Sequence, residues 1–130
     1  MKVLGIGVDI IANKRIKSSI KNPKFINRIY STNELRLSTI SNNKTSYFSK
    51  RFAAKEAFAK ALGTGFRNNL NFKDIEIIND KMGKPFYAKT NKIRKIVQKN
   101  FNVKNSNCFL SISDENEFST AFTIIQSIWN

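Results

Sequence analysis

The 130-residue chain contains no histidine. That absence removes imidazole general bases, serine–histidine nucleophile systems, cysteine–histidine proteases and every zinc site that relies on a histidine ligand. The single cysteine, Cys108, excludes an intramolecular disulfide, and beside Phe109 and Leu110 in a predicted strand it reads as buried and inert. No apolar run reaches the ~18 residues of a membrane span. Met1 to Ile11 also lacks the charged start and long apolar stretch of a signal peptide, so a cytoplasmic location without membrane insertion is expected. Acids are scarce, nine against 23 Lys and Arg. Through Lys73 only Asp9, Glu34 and Glu56 oppose fifteen basic residues, so each of the three needs a physical reason.

What remains for chemistry is carboxylates, lysines, arginines and hydroxyls, a set suited to hard cations such as Mg²⁺ and to phosphate groups. The formal charge of +14 points to an anionic partner: nucleic acid, an acidic protein, a membrane surface or a polyphosphate ligand. Composition leaves these open, because a chain crowded with Asn, Lys and Ile also gains basic charge from coding bias. The length suits one domain spanning residues 1–130, and 41% hydrophobic content with eleven Phe can fill its core.

Val3 to Ile11 alternates as a strand, with Leu4, Ile6, Val8 and Ile10 on one face and Gly5, Gly7 and Asp9 on the other. The glycines bare that second face for close approach of another element, with the Asp9 carboxylate at the strand end. Residues 12–30 read as two short basic helices broken at Asn22-Pro23, and Ser31 to Glu34 has the spacing of a helix start. After a polar loop over Ser41 to Ser46, a long helix from about Tyr47 to Leu62 is predicted as the central buried element. Its alanines favour helix and thin its sides, and Phe48, Phe52 and Phe58 supply bulk. Next come an Asn-rich loop, a strand over Phe72 to Ile78, a turn at Asn79 to Pro85 and a partner strand at Phe86 to Ala88. An amphipathic helix over Thr90 to Phe101 and two strands, Asn107 to Ser113 and Glu117 to Ile128, complete an α+β fold: a mainly antiparallel sheet packed against a long central helix.

Glu56 and Lys60 lie four apart on the long helix and share a face. Alone they make an ordinary surface ion pair. With Asp9 on the first strand they compose a second reading: two carboxylates able to hold Mg²⁺ together with substrate phosphate oxygens, and a lysine to balance phosphate charge. Lys84, in the Gly83-Lys-Pro85 turn, is a further phosphate candidate, its plain alternative being a hairpin turn.

Gly5-Ile-Gly-Val-Asp-Ile10, Phe25-Ile-Asn-Arg-Ile29, Arg51-Phe-Ala-Ala-Lys-Glu-Ala57 with Gly63-Thr-Gly65, Asp74-Ile-Glu-Ile77 with Gly83-Lys-Pro85, and Ser111-Ile-Ser113 resemble the holo-acyl-carrier-protein synthase family, in family order and over nearly the whole chain. The resemblance implies the 4'-phosphopantetheinyl transferase fold. It also implies Mg²⁺-dependent transfer of the phosphopantetheine arm of coenzyme A, the co-substrate, to a serine of apo acyl carrier protein, releasing adenosine 3',5'-bisphosphate in fatty acid biosynthesis. In those terms Asp9 and Glu56 match the metal ligands, and Glu56 and Lys60 the catalytic pair. Lys60, Gly63, Thr64, Gly65 and Lys84 match coenzyme A contacts. Arg15, with Lys21, Lys24 and Arg28, would meet acidic side chains of the carrier, and the family implies a homotrimer with sites between subunits. The nucleophile would belong to the partner, which suits a chain without a histidine base. One departure is Asp114, where the family usually carries histidine: an anion cannot serve as a cationic phosphate partner, and a bond to a lysine or a bound water is the alternative. A nucleic-acid-binding protein is the rival from another class, favoured by charge and aromatics, but it leaves Asp9 and Glu56 without a role. A broader-specificity transferase of the same superfamily is the second rival, although such chains are about twice as long.

Overall fold

The two glycines of the first strand and the alanines of the long helix are complementary, and their contact organises the molecule. The structure, a computed structural model, describes residues 1–128. Strand β1 (Val3–Ala12) leads into three short helices, α1 (Asn13–Ser19), α2 (Pro23–Ile29) and α3 (Thr32–Ser38), and then the long helix α4 (Lys44–Leu62). A short hairpin of β2 (Ile77–Asn79) and β3 (Pro85–Tyr87), helix α5 (Asn91–Phe101) and strands β4 (Ser106–Asp114) and β5 (Phe118–Ser127) follow. The main sheet has the order β1-β5-β4, antiparallel throughout.

Helix α4 lies across the glycine-bearing face of this sheet. A Cβ at Gly7 would stand 2.7 Å from Ala61 N, and one at Gly5 would stand 3.0 Å from the Ala61 carbonyl carbon, so only glycine admits the helix at this depth. Ala53, Ala54 and Ala57 are fully buried beneath, with Phe58, Ile125 and Ala121. The side chain of Asn43 caps the helix by accepting from Ser46 N–H at 3.0 Å. Gly63, left-handed at φ 81°, ends it. The helix therefore begins at Lys44, three residues before the predicted start, and takes in the second half of the expected Ser41 to Ser46 loop.

The predicted strand over Phe72 to Ile78 is a 3₁₀ turn at Phe72–Asp74 followed by β2, which begins only at Ile77. Two side chains explain the change. The Asp74 carboxylate accepts from Asn71 N–H at 2.8 Å and folds the segment back. Lys55 Nζ donates to the carbonyls of Phe72 at 2.9 Å and Ile75 at 2.7 Å, which withdraws both from strand pairing.

That lysine belongs to a buried ion pair. Lys55 Nζ is 2.7 Å from Glu34 Oε1, and neither side chain is exposed. Glu34 also accepts from Ser31 N–H at 2.9 Å, closing a capping box at the start of α3, and from Ile77 N–H at 3.0 Å. All three lysine protons are used and both carboxylate oxygens are occupied, the condition under which a buried pair is tolerated. Burial pulls the Lys55 pKa down and Glu34 opposes that pull.

The opposite face of the sheet is bare. Ile6, Val8 and Ile10 of β1 are 61%, 56% and 64% exposed, and Phe109, Phe118 and Phe122 stand with them on the neighbouring strands. An apolar sheet face of this kind marks an interaction surface.

Candidate active site

Register places Asp9 on the helix-facing side of β1, two residues beyond Gly7, where the close approach of α4 brings the helix face carrying Glu56 and Lys60 against it. Lys60 Nζ lies 3.1 Å from Asp9 Oδ1 and donates to the Val8 carbonyl at 3.0 Å. The Asp9 carboxylate is largely covered, 14% exposed, whereas the lysine is 55% exposed and free to turn toward a ligand. Glu56 feels the same surroundings: partial burial raises its pKa, the nearby Asp9 charge raises it further, and Lys60 and Arg15 draw it back. Two carboxylates repelling each other, with ammonium and guanidinium groups alongside, form a site that gains from a cation between the acids and an anion near the bases.

The donor chemistry fits Mg²⁺. Asp9 and Glu56 supply hard oxygens, and among the described residues no cluster of three or more His, Cys, Asp or Glu side chains stands ready as a complete metal cage. A Mg²⁺ site of one or two carboxylates finished by water and phosphate oxygens has that composition.

Arg15, exposed on α1, joins this neighbourhood, with its guanidinium 5.9 Å from the centre of the Phe52 ring. Lys21, Lys24 and Arg28 continue the exposed basic surface along α2 and the turn before it. Gly63 and Gly65 both take positive φ, 81° and 64°, so the backbone turns sharply just past Lys60, with Thr64 half-buried between them. Lys84 sits apart at the exposed hairpin turn, where its N–H is held by Asp80 Oδ1 at 2.9 Å. Among the described residues nothing joins its side chain to Asp9 or Glu56.

Asp114 has a definite partner that the sequence expectation did not include. Ser46 Oγ donates to its carboxylate at 2.8 Å, in the first turn of α4. The charge favours that helix end, and Ser46 at this position is the signal that could have revealed the contact. The Lys55–Glu34 pair also escaped the sequence reading, although the scarcity of acids had singled out Glu34.

A family model for the 4'-phosphopantetheinyl transferase superfamily matches residues 5–123. The chain belongs to this superfamily, and it is an enzyme. Over nearly its whole length it groups with the holo-[acyl-carrier-protein] synthases. It is 60% identical over 126 residues to the holo-[acyl-carrier-protein] synthase of Pelagibacter ubique, covering 97% of this chain and 98% of that one. Among solved structures, the synthase from Neisseria meningitidis superposes with a TM-score of 0.87 at 37% identity, covering 96% of this chain and 99% of the other. The synthase from Bacillus anthracis, crystallised with coenzyme A (3',5'-ADP), gives 0.81 at 34% identity, covering 98% of this chain and 100% of its own. The expected α+β fold with an antiparallel sheet and a long helix is thereby borne out.

Proposed function

We propose that the chain transfers the 4'-phosphopantetheine group of coenzyme A to a serine of apo acyl carrier protein, with Mg²⁺ held by Asp9 and Glu56. The observation that carries this reading is the convergence of Asp9, Glu56 and Lys60 across the glycine-bared strand, with 3.1 Å between lysine and aspartate. The coenzyme A complex of the Bacillus anthracis relative supports the co-substrate.

In the reaction a bond forms between the carrier serine oxygen and the phosphorus bearing the pantetheine arm. The pyrophosphate linkage breaks, and adenosine 3',5'-bisphosphate leaves. Mg²⁺, when bound, offsets the negative charge of the transferring phosphoryl group. Lys60 exchanges its hold on Asp9 for a phosphate oxygen and places a fixed positive charge there. The backbone turn at Gly63, Thr64 and Gly65 lets the coenzyme lie close to the chain, and Lys84 reaches nucleotide phosphate. Arg15, assisted by Lys21, Lys24 and Arg28, draws the acidic carrier in and orients its serine. The nucleophile arrives on the partner, and its hydroxyl proton, released as the oxygen–phosphorus bond forms, passes through water to solvent, with Glu56, its pKa raised by burial and by Asp9, as the carboxylate available to accept it in place of a histidine.

The reading extends to a homotrimer, for which the exposed face of Ile6, Val8, Ile10 and Phe122 is the covered surface, and to fatty acid biosynthesis in the cytoplasm. Among the described residues no helix is long and apolar enough to cross a membrane.

The test is incubation with coenzyme A, Mg²⁺ and apo acyl carrier protein, followed by intact mass measurement of the carrier. The carrier is expected to gain one phosphopantetheine group; a carrier of unchanged mass overturns the proposal. Glu56→Gln is expected to abolish the gain while circular dichroism stays native, and full activity in that variant removes Glu56 from the metal site.

A further inference from the structure

A cavity of about 120 Å³ opens near the outer edge of β4, bordered also by the end of the β2–β3 hairpin and by α5. It is remote in topology from the transferase site: Asp9 lies on β1, at the other edge of the sheet, with β5 between. None of Asp9, Glu56 or Lys60 lines it. Its position on the helix side of the sheet also separates it from the exposed apolar face, since Cys108 pairs in register with the fully buried Ile125.

The walls divide into an apolar interior and a basic mouth. Tyr87, Ile93, Val97 and Cys108 line the interior. The Tyr87 hydroxyl is already bonded to the Ala54 carbonyl and Thr123 Oγ1, each at 2.6 Å, so this residue offers the cavity its ring. Thr90, Asn91 and Ser106 also line the cavity, but the Thr90 hydroxyl already accepts from Ile93 N–H at 3.2 Å and Asn91 Oδ1 from Arg94 at 3.3 Å, which leaves the buried walls better suited to a hydrocarbon chain than to water. Lys89 and Arg94 provide the charge, and no carboxylate lines the cavity. Arg94 reaches only Asn91 Oδ1, at 3.3 Å, and among the described residues Lys89 has no ion-pair or hydrogen-bonding partner. Lys89 lies close enough to Cys108 for its charge to be felt at the thiol.

An apolar pocket with a few convergent polar groups is the general form of a small-ligand site, and two unmatched cations select for an anion. The volume admits about four groups of water size, which limits the buried tail to a few carbons. From this we propose that the cavity binds a short-chain carboxylate of about four to six carbons, its tail on Tyr87, Ile93, Val97 and Cys108 and its head between Lys89 and Arg94. The inference does not depend on the transferase reading.

Because Cys108 is the only cysteine, its thiol reports on occupancy in the full chain. Hexanoate is expected to slow modification of Cys108 by a soluble aromatic disulfide at least tenfold at saturation, with hexanol and hexylamine leaving the rate within twofold of the free protein. The double variant Lys89→Glu with Arg94→Glu is expected to label at its own, slower free rate, because the Lys89 charge that favours the thiolate is reversed, and to lose protection by hexanoate measured against that rate. Equal protection by hexanol overturns the anionic head, protection by hexyl phosphate without hexanoate overturns the carboxylate, and no protection by hexanoate overturns the site. Hexanoate-dependent amide shifts confined to residues 87–97 and 106–108 of the wild type give a second, variant-free readout; shifts absent or spread over the whole surface count against it.

Discussion

Replacing Gly7 with alanine tests whether the bare strand face builds the site. The new methyl carbon would stand 2.7 Å from Ala61 N and 3.0 Å from the Ala57 carbonyl carbon, with the Ala57 oxygen nearer still. Favourable contact between carbon-sized atoms begins at about 3.5 Å, so α4 must retreat from β1 by roughly 1 Å. The atoms met are backbone, so no rotamer change can absorb the clash. Overpacking of this kind costs about 1–3 kcal/mol, and a backbone obstacle belongs at the upper end. The retreat also carries Glu56 and Lys60 away from Asp9, and misplacement by about 1 Å in a catalytic arrangement reduces rate on the order of a hundredfold. Urea unfolding followed by circular dichroism measures the first effect, and carrier mass gain against time measures the second. Gly63→Ala is the control: nothing lies within 4 Å of its Cβ, but φ is 81°, so it is expected to lose about 1–2 kcal/mol through backbone conformation alone. If Gly7→Ala matches wild type in both stability and rate, the close packing of β1 on α4 does not position the site.

Three further outcomes are expected. Lys55→Met leaves Glu34 charged, buried and short of one partner and should lose about 3–5 kcal/mol in urea unfolding, with Glu34→Gln added to it restoring part of the loss. Burial pushes the Cys108 thiol up to about 11, so its iodoacetamide reaction rate should keep climbing with pH beyond the point near 8.5 where a free thiol levels off; levelling at that point would contradict the burial seen here. Under the proposed homotrimer, Val8→Glu with Phe122→Glu puts two acids, adjacent in register, on the exposed sheet face and should shift the sedimentation profile from trimer to single subunit without loss of helix signal, whereas a trimer that persists would place the subunit contact elsewhere.

Much of this architecture is legible in local chemistry. The Gly5–Gly7 spacing announced a strand that another element approaches closely, and the structure shows that element to be α4, whose alanines had marked only a thin-sided, buried helix. Asn43, Ser31 and Thr90 each cap a helix as side chains of their type do. The strand expected at Phe72 failed because its carbonyls are taken by Lys55, seventeen residues away in the chain, and periodicity carries no information about such a bond. Alternation in β1 divided its two faces, and the glycines marked the one to be covered, but nothing in the pattern told that the apolar face of Ile6, Val8 and Ile10 would be exposed. The Asp9, Glu56 and Lys60 group was readable because each lies in a recognisable segment. Lys84 illustrates the complement: its place in the Gly83-Lys-Pro85 turn is evident, but no intrachain contact connects that turn to the other candidates.

The absence of side chains where Gly5 and Gly7 of β1 meet α4 also has a mechanical consequence. Most strand–helix contacts are cushioned by rotatable side chains that absorb small displacements by changing rotamer. Here the backbone of Gly5 and Gly7 meets the backbone of Ala57 and Ala61, so that contact has almost no compliance. A push on the outer face of β1, where Ile6, Val8 and Ile10 project, is therefore transmitted to the helix that carries Glu56 and Lys60. Under the proposed function, a subunit seated on that outer face would therefore stiffen the spacing between Asp9 and Glu56 from behind.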